Sequence, residues 1–349
     1  MRKIKRKRNY STYVLVACVC VFSIMGVGYG YLQQTLNINM SLSKKDQGID
    51  ITDDVVATGD GLYENQYENG RYVYRGSNPN NYIKFNNELW RIIAKEADGT
   101  YKIIRDELLP QNANYTTMAY DVENHRLTGN NTYCTYPHNG CGVFAAVSGT
   151  FQTPDGKYSG TVTEDSSIKE YLNNTYYPTL NGTAKAQIQS HAFNIGSVEW
   201  LDESGNDSIQ KNIAGEKMYQ WTGNVGLVNV SDLLRASTNV ACTSATDEYK
   251  AAMQEAPQET CGSYLTTMSP INEELGGIGY WTMNAFSAES EDDSYNVWYA
   301  AFRQGIGVFG VSIARRDNFI GARPVVFLKS STQLISGTGT KSDPYMIKE

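Results

Sequence analysis

The first thirty-two residues constrain everything that follows them. Arg2, Lys3, Lys5, Arg6, Lys7 and Arg8 place six positive charges ahead of a charge-free apolar run from Tyr13 to Leu32. As a helix those 20 residues span roughly 30 Å, at about 1.5 Å per residue, which matches the hydrocarbon core of a bilayer. A basic flank stays on the cytoplasmic side, so everything after Leu32 is expected outside. Two readings stay open. Residues 13–32 are an uncleaved transmembrane signal anchor behind a basic tail at 1–12, or they are a cleaved signal peptide. Gly26-Val27-Gly28 and Gly28-Tyr29-Gly30 offer small residues for a cut, but no Ala-x-Ala is present. A buried core helix seldom carries a polybasic flank, so the expected location is the cell membrane, single-pass, or the exterior after cleavage.

Charge narrows the partners. The chain has 30 basic and 37 acidic residues. Setting aside the basic head leaves 24 against 37 for the exported part. That balance argues against a nucleic-acid partner and against binding anionic lipid by charge. Some 317 residues follow Leu32, and 25 Tyr and 10 Phe in the chain supply large units for burial, so a packed domain is expected. Cys18 and Cys20 lie inside the apolar run and serve there as small apolar residues. The four others, Cys134, Cys141, Cys242 and Cys261, are an even set in an exported segment and are read as disulfides. Of the three possible pairings the local ones, Cys134–Cys141 and Cys242–Cys261, are favoured. With no Cys-x-x-Cys outside the apolar run and only His125, His138 and His191, no metal site and no cofactor are expected.

Along the chain, residues 33–59 read as a linker and 60–349 as the exported domain. Arg71–Gly76, Tyr82–Phe85, Glu88–Ala94 and Tyr101–Arg105 alternate as strands, with turns at Asn86-Asn87 and Asp98-Gly99, so 71–105 predicts a β-meander. A serine-capped helix opens at Ser166, and a second covers Ala184 to Ser190. Val225–Val230 has a buried-strand pattern and runs into a short helix through Leu234. Strands return at Gly279–Met283, Asn296–Phe302, Gly307–Ile313 and Ala322–Leu328. Strands at both ends of a helical and loop-rich middle give an α+β class with an antiparallel sheet.

Four stretches carry a resemblance: Glu88-Leu89-Trp90-Arg91-Ile92-Ile93, Ile168 to Tyr177, Val225-Gly226-Leu227-Val228 with Ser231-Asp232-Leu233-Leu234, and Gly321-Ala322-Arg323-Pro324-Val325-Val326-Phe327-Leu328. Their order is similar to that of uncharacterised secreted domains of Gram-positive bacteria, and the tail from Gly337 to Tyr345 looks like the way many of those end. These domains resemble, distantly, the C-type-lectin-like fold shared with formylglycine-generating enzymes, whose closing strand carries a Gly-x-Arg like Gly321-Ala322-Arg323. The resemblance implies a C-type-lectin-like antiparallel sheet with short helices and long loops. It leaves function open, because relatives bind sugars or proteins and one branch is an oxidase.

Chemistry is sparse. The oxidase needs thiols in its C-terminal core, and no cysteine follows Cys261. The acidic loops Asp202–Asp207 and Glu289–Asp293 lack EF-hand spacing, and the Glu-Pro-Asn and Trp-Asn-Asp tripeptides of calcium-dependent lectins are missing. No Gly-x-Ser-x-Gly, His-Glu-x-x-His or phosphate loop occurs, so no enzyme is expected. Arg91 and Arg323, set in apolar strands, read as core pins that need a carboxylate or several carbonyls. Trp90, Trp281 and Trp298 read first as core. The segment Glu289–Arg316 is the best ligand face, because Asp292, Asp293, Tyr295, Trp298, Tyr299, Arg303, Arg315 and Arg316 mix the residue types favoured at binding hot spots. The expected function is non-catalytic recognition of a glycan or protein ligand in adhesion or sensing, with an envelope-associated structural role as the alternative. Exposed aromatics at Tyr295, Trp298 and Tyr299 would favour recognition, and buried ones the structural role.

Overall fold

Alternation in the sequence becomes strand wherever two neighbours are available to cover both faces. The computed structural model describes residues 48–110, 120–121, 142–154, 156, 159–199, 209–239, 262–266, 279–287, 296–303, 306–313 and 320–348, with backbone alone for 159–160, 199, 287, 296, 301–303 and 306–313. The chain opens with a 3-10 turn, Ile51–Asp54, capped by Asp50 and pinned by fully buried Ile51. Five strands follow: β1 (Gly61–Glu64), β2 (Tyr72–Arg75), β3 (Tyr82–Phe85), β4 (Glu88–Lys95) and β5 (Tyr101–Arg105). Asn86 and Asn87 link β3 to β4 at φ 53° and 62°, the two-residue turn whose twist matches a hairpin and which asparagine tolerates. Between β4 and β5, Gly99 sits at φ 86°, and the Asp98 carboxylate accepts the Thr100 N–H at 2.9 Å.

The expected meander holds for β3–β4–β5. β2 departs from it and pairs with the far end of β4, Tyr72 opposite Lys95 and Val73 opposite Ala94, so β2 and β3 share one edge of β4. This curls the sheet and puts Arg71 and Glu96 side by side.

The middle begins with β6 (Thr150–Gln152) and β7 (Ser159–Thr161). Helix α1 (Ser167–Glu170) continues through a π-helical stretch, Tyr171–Tyr176, to a last turn, Tyr177–Thr179. Ser166 caps it as read, accepting the Lys169 N–H. Helix α2 (Gly182–Gln187) starts two residues earlier than expected, because Asn181 caps it, and ends at Gln187, because β8 (Ile188–Gln189) is taken up by the main sheet. Then come β9 (His191–Asn194), β10 (Val198–Glu199), α3 (Ile209–Glu216), β11 (Gln220–Gly223) and α4 (Val230–Arg235). Val225–Val230 is buried throughout, as its pattern implied, yet forms no strand. Single bridges join Gly226 to Val325 and Val228 to Thr282, so this segment ties one large sheet to the other.

The C-terminal part holds β12 (Gly279–Ser287), β13 (Asn296–Arg303), β14 (Ile306–Ile313), β15 (Ile320–Gly321), β16 (Val325–Leu328), β17 (Leu334–Ser336) and β18 (Tyr345–Ile347). The first sheet has nine strands along β17-β18-β3-β4-β5-β16-β8, with β1 and β2 off that path. The second follows β10-β12-β13-β14, with β15 beside β12. Pairing is mostly antiparallel, and the parallel pairs are β10–β12, β12–β15 and β18–β3. The class is therefore α+β with an antiparallel-dominated, curled sheet. Among the described residues no helix is long and apolar enough to cross a membrane, and residues 13–32 lie outside them.

Trp90, Trp281, Trp298, Tyr120, Tyr264, Tyr280, Phe144 and Phe193 are the largest fully buried side chains. Each such ring stabilises the fold by about 1.5–3 kcal/mol relative to exposure. β13 is paired on both edges, by β12 and β14, and Val297, Trp298 and Ala300 are all buried.

Candidate functional site

Of the ligand face expected at Glu289–Arg316, the structure describes little. Asp292, Asp293, Tyr295, Arg315 and Arg316 lie outside the described residues, as do Cys134, Cys141, Cys242 and Cys261. Arg303 ends β13 with its backbone alone described. Trp298 is a correction to that face. It is fully buried, its ring meets Phe286 edge-on at 5.3 Å, and its Nε1–H donates to the Val198 carbonyl at 3.0 Å. The neighbouring strands remove it from any surface. Tyr299 is half-buried, its ring edge-on to Trp281 at 6.2 Å.

The two arginines read as core pins are buried as expected, each held in part by a backbone carbonyl and by aromatic rings. Arg91 donates to Asn81 Oδ1 (2.8 Å), the Tyr82 hydroxyl (3.0 Å) and the Pro79 carbonyl (3.1 Å). Its guanidinium lies 4.0 Å from the Tyr82 ring centre and 4.6 Å from that of Tyr264. Two ring faces thus take the place of a carboxylate. Arg323 donates Nε–H to the Arg105 carbonyl at 2.9 Å and lies over Tyr280.

A second group of charges meets in the interior, and the sequence reading missed it. Asp232 stands in the first turn of α4 and is buried. Its Oδ1 accepts from Arg71 Nη2 (2.8 Å) and Arg235 Nη2 (3.0 Å). Its Oδ2 accepts from Lys102 Nζ (2.5 Å) and the Asn229 N–H (3.2 Å). Burial alone would raise this carboxyl, but Lys102, Arg71 and Arg235 together hold it far below the usual carboxylate range. Arg71, just before β2, also donates to Glu96 (2.7 Å) and Glu68 (3.1 Å). Glu68 in turn bonds Arg235 and, at 2.6 Å, Lys217. Against the penalty of burial, Arg235, Arg71 and Lys217 hold the Glu68 carboxyl down at about 2. Lys102 on β5 donates as well to Asn229 Oδ1 at 3.1 Å and lies over the Phe327 ring.

Amides extend the group to the second sheet. Asn229 donates to the Asn194 carbonyl at 2.7 Å, and Asn284 on β12 accepts the Val230 N–H at 2.9 Å while donating to the Gly196 carbonyl at 2.9 Å. One carboxyl stands apart. Glu216, the last residue of α3, is 1% exposed, and among the described residues its carboxyl bonds only Ser231: Oε1 accepts the backbone N–H at 2.7 Å and Oε2 the hydroxyl at 2.6 Å. Burial, with the Asp232 charge adding to it, pushes Glu216 up to about 7 despite those two donors and nearby Arg235.

Most of the network's charges are paired with one another. Asp232, Glu68 and Glu96 each face a cation, and among the described residues no group of three His, Cys, Asp or Glu side chains is placed to hold a metal ion. A buried ion pair adds little net stability over well-packed apolar residues, but deleting one partner strands the other charge. Such a network therefore fixes which segments meet, here β2, β4, β5, α3 and α4. One signal for it was present in the sequence. Lys102 is a cation set between Tyr101 and Ile103-Ile104 in β5, the same signal that singled out Arg91 and Arg323. Comparison with protein-family models, curated proteins and solved structures gives no match.

Proposed function

We propose that this chain is an exported, membrane-anchored protein whose domain works without catalysis, as a structural, protein-contacting component of the cell envelope. The observation that carries this reading is the burial of Trp298 together with Trp90 and Trp281. Aromatic side chains that would form a recognition platform are spent on the core, and the interior charges are spent on each other. The basic head and the apolar run 13–32 support anchoring, and the acidic balance of the remainder supports an exterior, solvated domain. A C-type-lectin-like architecture is part of the proposal. Its supports are the antiparallel-dominated sheet and the entry of Gly321-Ala322-Arg323 into β16, with Arg323 turned into the core.

The second reading is recognition of a glycan or protein by the loops around 289–316, favoured by half-buried Tyr299 at the root of that region. One experiment separates the two. The soluble domain, residues 33–349, is applied to an array of glycans and matrix proteins with and without a calcium chelator. The structural reading expects no specific hit from folded protein. A specific hit weakened by Arg303→Ala or Tyr299→Ala but kept in wild-type-like, folded variants elsewhere would replace it with recognition. Protease treatment of intact cells tests the placement, which expects loss of the domain and retention of residues 1–32 in the membrane.

A further inference from the structure

Among the buried carboxyls of the network, Glu216 is the one without a cation within ion-pair distance among the described residues. The element that carries it is weakly held. α3 turns Ile209, Asn212, Ile213, Gly215 and Glu216 inward, so only two of five inward positions bring a large apolar side chain. Asn212 Oδ1 on α3 and Ser197 Oγ, whose backbone packs on Gly215, are buried and find no hydrogen-bond partner among the described residues. A buried polar atom left unpaired costs about 1–3 kcal/mol. Elements with few apolar contacts and imperfectly satisfied polar groups are the ones that open locally, ahead of global unfolding.

The groups that face Glu216 set the sign of its response. From α4 come Ser231, with both its donors on the carboxyl, Asp232, whose negative charge opposes a second one, and Arg235, which donates to Ser231 Oγ at 3.0 Å and not to Glu216. Glu68, approaching from the segment before β2, is bound to Arg235 and Lys217 and adds no free cation. Lys217, the next residue on Glu216's own segment, is spent on Glu68. From the β9–β10 connection come Gly196, whose N–H donates to the Glu216 carbonyl at 2.9 Å, and neutral Ser197. The Gly196 backbone packs so close to the end of α3 that a Cβ there would sit 2.0 Å from the Gly215 carbonyl oxygen.

The neutral acid fits the same geometry. Oε1 keeps the Ser231 N–H, and the bond between Oε2 and Ser231 Oγ reverses direction, the acid now donating. Ionised, the carboxylate is a buried negative charge beside another, with no counter-ion.

We propose that Glu216 is a proton-operated latch between α3 and α4: one proton taken up on its carboxyl tightens the contact, and loss of that proton loosens it, so that release of α3 follows the pH of the medium. The contact is tightest under mild acid. With the carboxyl raised from 4.5 in the open chain to about 7 when docked, opening of α3 releases a proton across that interval and becomes easier as pH rises through it, then levels off above about 7.

Hydrogen exchange of the α3 amides, corrected for the intrinsic pH dependence of exchange, reads this directly on the full domain. Protection is expected to fall about 40-fold between pH 5 and pH 7, the slope approaching tenfold per unit between the two pKa values, and to change by no more than about twofold from pH 7 to pH 9. Glu216→Gln, which mimics the neutral acid with an Nε2–H donor, is expected to keep high protection and lose the slope. Flat wild-type protection over pH 5–7, or the same slope in Glu216→Gln, overturns the proposal. Should Glu216→Gln not fold, Ser231→Ala decides. Losing the hydroxyl donor favours the neutral acid, so the fall must extend to higher pH, and an unchanged window overturns the latch.

Discussion

Asp232 shows how much a single residue is asked to hold. It receives Arg71 and Lys102, which lie 161 and 130 positions away in sequence, and Arg235 from its own helix. Removing its charge leaves these cations facing each other in the interior, so Asp232→Asn is expected to lower unfolding free energy by about 3–5 kcal/mol. Lys102→Met is expected to do less harm. Asp232 keeps both arginines, and the methionine chain can lie against Phe327 as the lysine stem does. The check is the pair of urea midpoints measured side by side, where equal losses would mean that Lys102, not the arginines, holds Asp232. At Trp298, truncation to Ala is expected to cost about 3–5 kcal/mol through the cavity and the lost Val198 bond, seen as a lower thermal midpoint with no other change in what the domain binds.

At the level of elements, local rules were enough where contacts are local. β3, β4 and β5 were legible because alternation, an Asn-Asn turn and an Asp-Gly turn all lie within one stretch of chain, and the Ser166 cap was legible for the same reason. The place of β2 was not, since pairing with the far end of β4 depends on the curl of the whole sheet. Val225–Val230 reads as a strand by composition, but it runs between two sheets and is bonded singly to each. Trp298 could be assigned to a strand from sequence. Its burial on the face opposite Tyr299 depends on which sides of β13 are covered, and alternation does not give that. The pairing within the network was not legible beyond the hint of Lys102, because the charges that meet at Asp232 and Arg235 come from segments more than a hundred residues away. The cap of α2 is local again: Asn181→Ala removes the acceptor 2.7 Å from the Ala184 N–H and is expected to cost about 1 kcal/mol, read by chemical denaturation.

For the whole molecule, the two classes of shifted carboxyl pull stability in opposite directions with pH. Glu216, raised from 4.5 to about 7, contributes stability that is fully present below about 4.5 and is lost as pH rises toward 7. Glu68, lowered from 4.5 to about 2, and Asp232, lowered further by Lys102, Arg71 and Arg235, contribute stability present above about 4.5 and lost as pH falls toward 2. The unfolding free energy of the domain is therefore expected to peak under mild acid, near pH 4.5, and a urea titration at pH 3, 4.5, 6 and 8 checks the peak. A domain held this way keeps its first sheet, α3 and α4 in fixed relation through interior charges.

The most direct measurement is the urea unfolding of Asp232→Asn beside the wild type at pH 4.5. If interior charge pairing fixes how the first sheet and α4 meet, the variant loses about 3–5 kcal/mol or fails to fold. A variant within about 0.5 kcal/mol of the wild type, the range of an ordinary surface change, would contradict that claim and return the hold on the fold to the aromatic core alone.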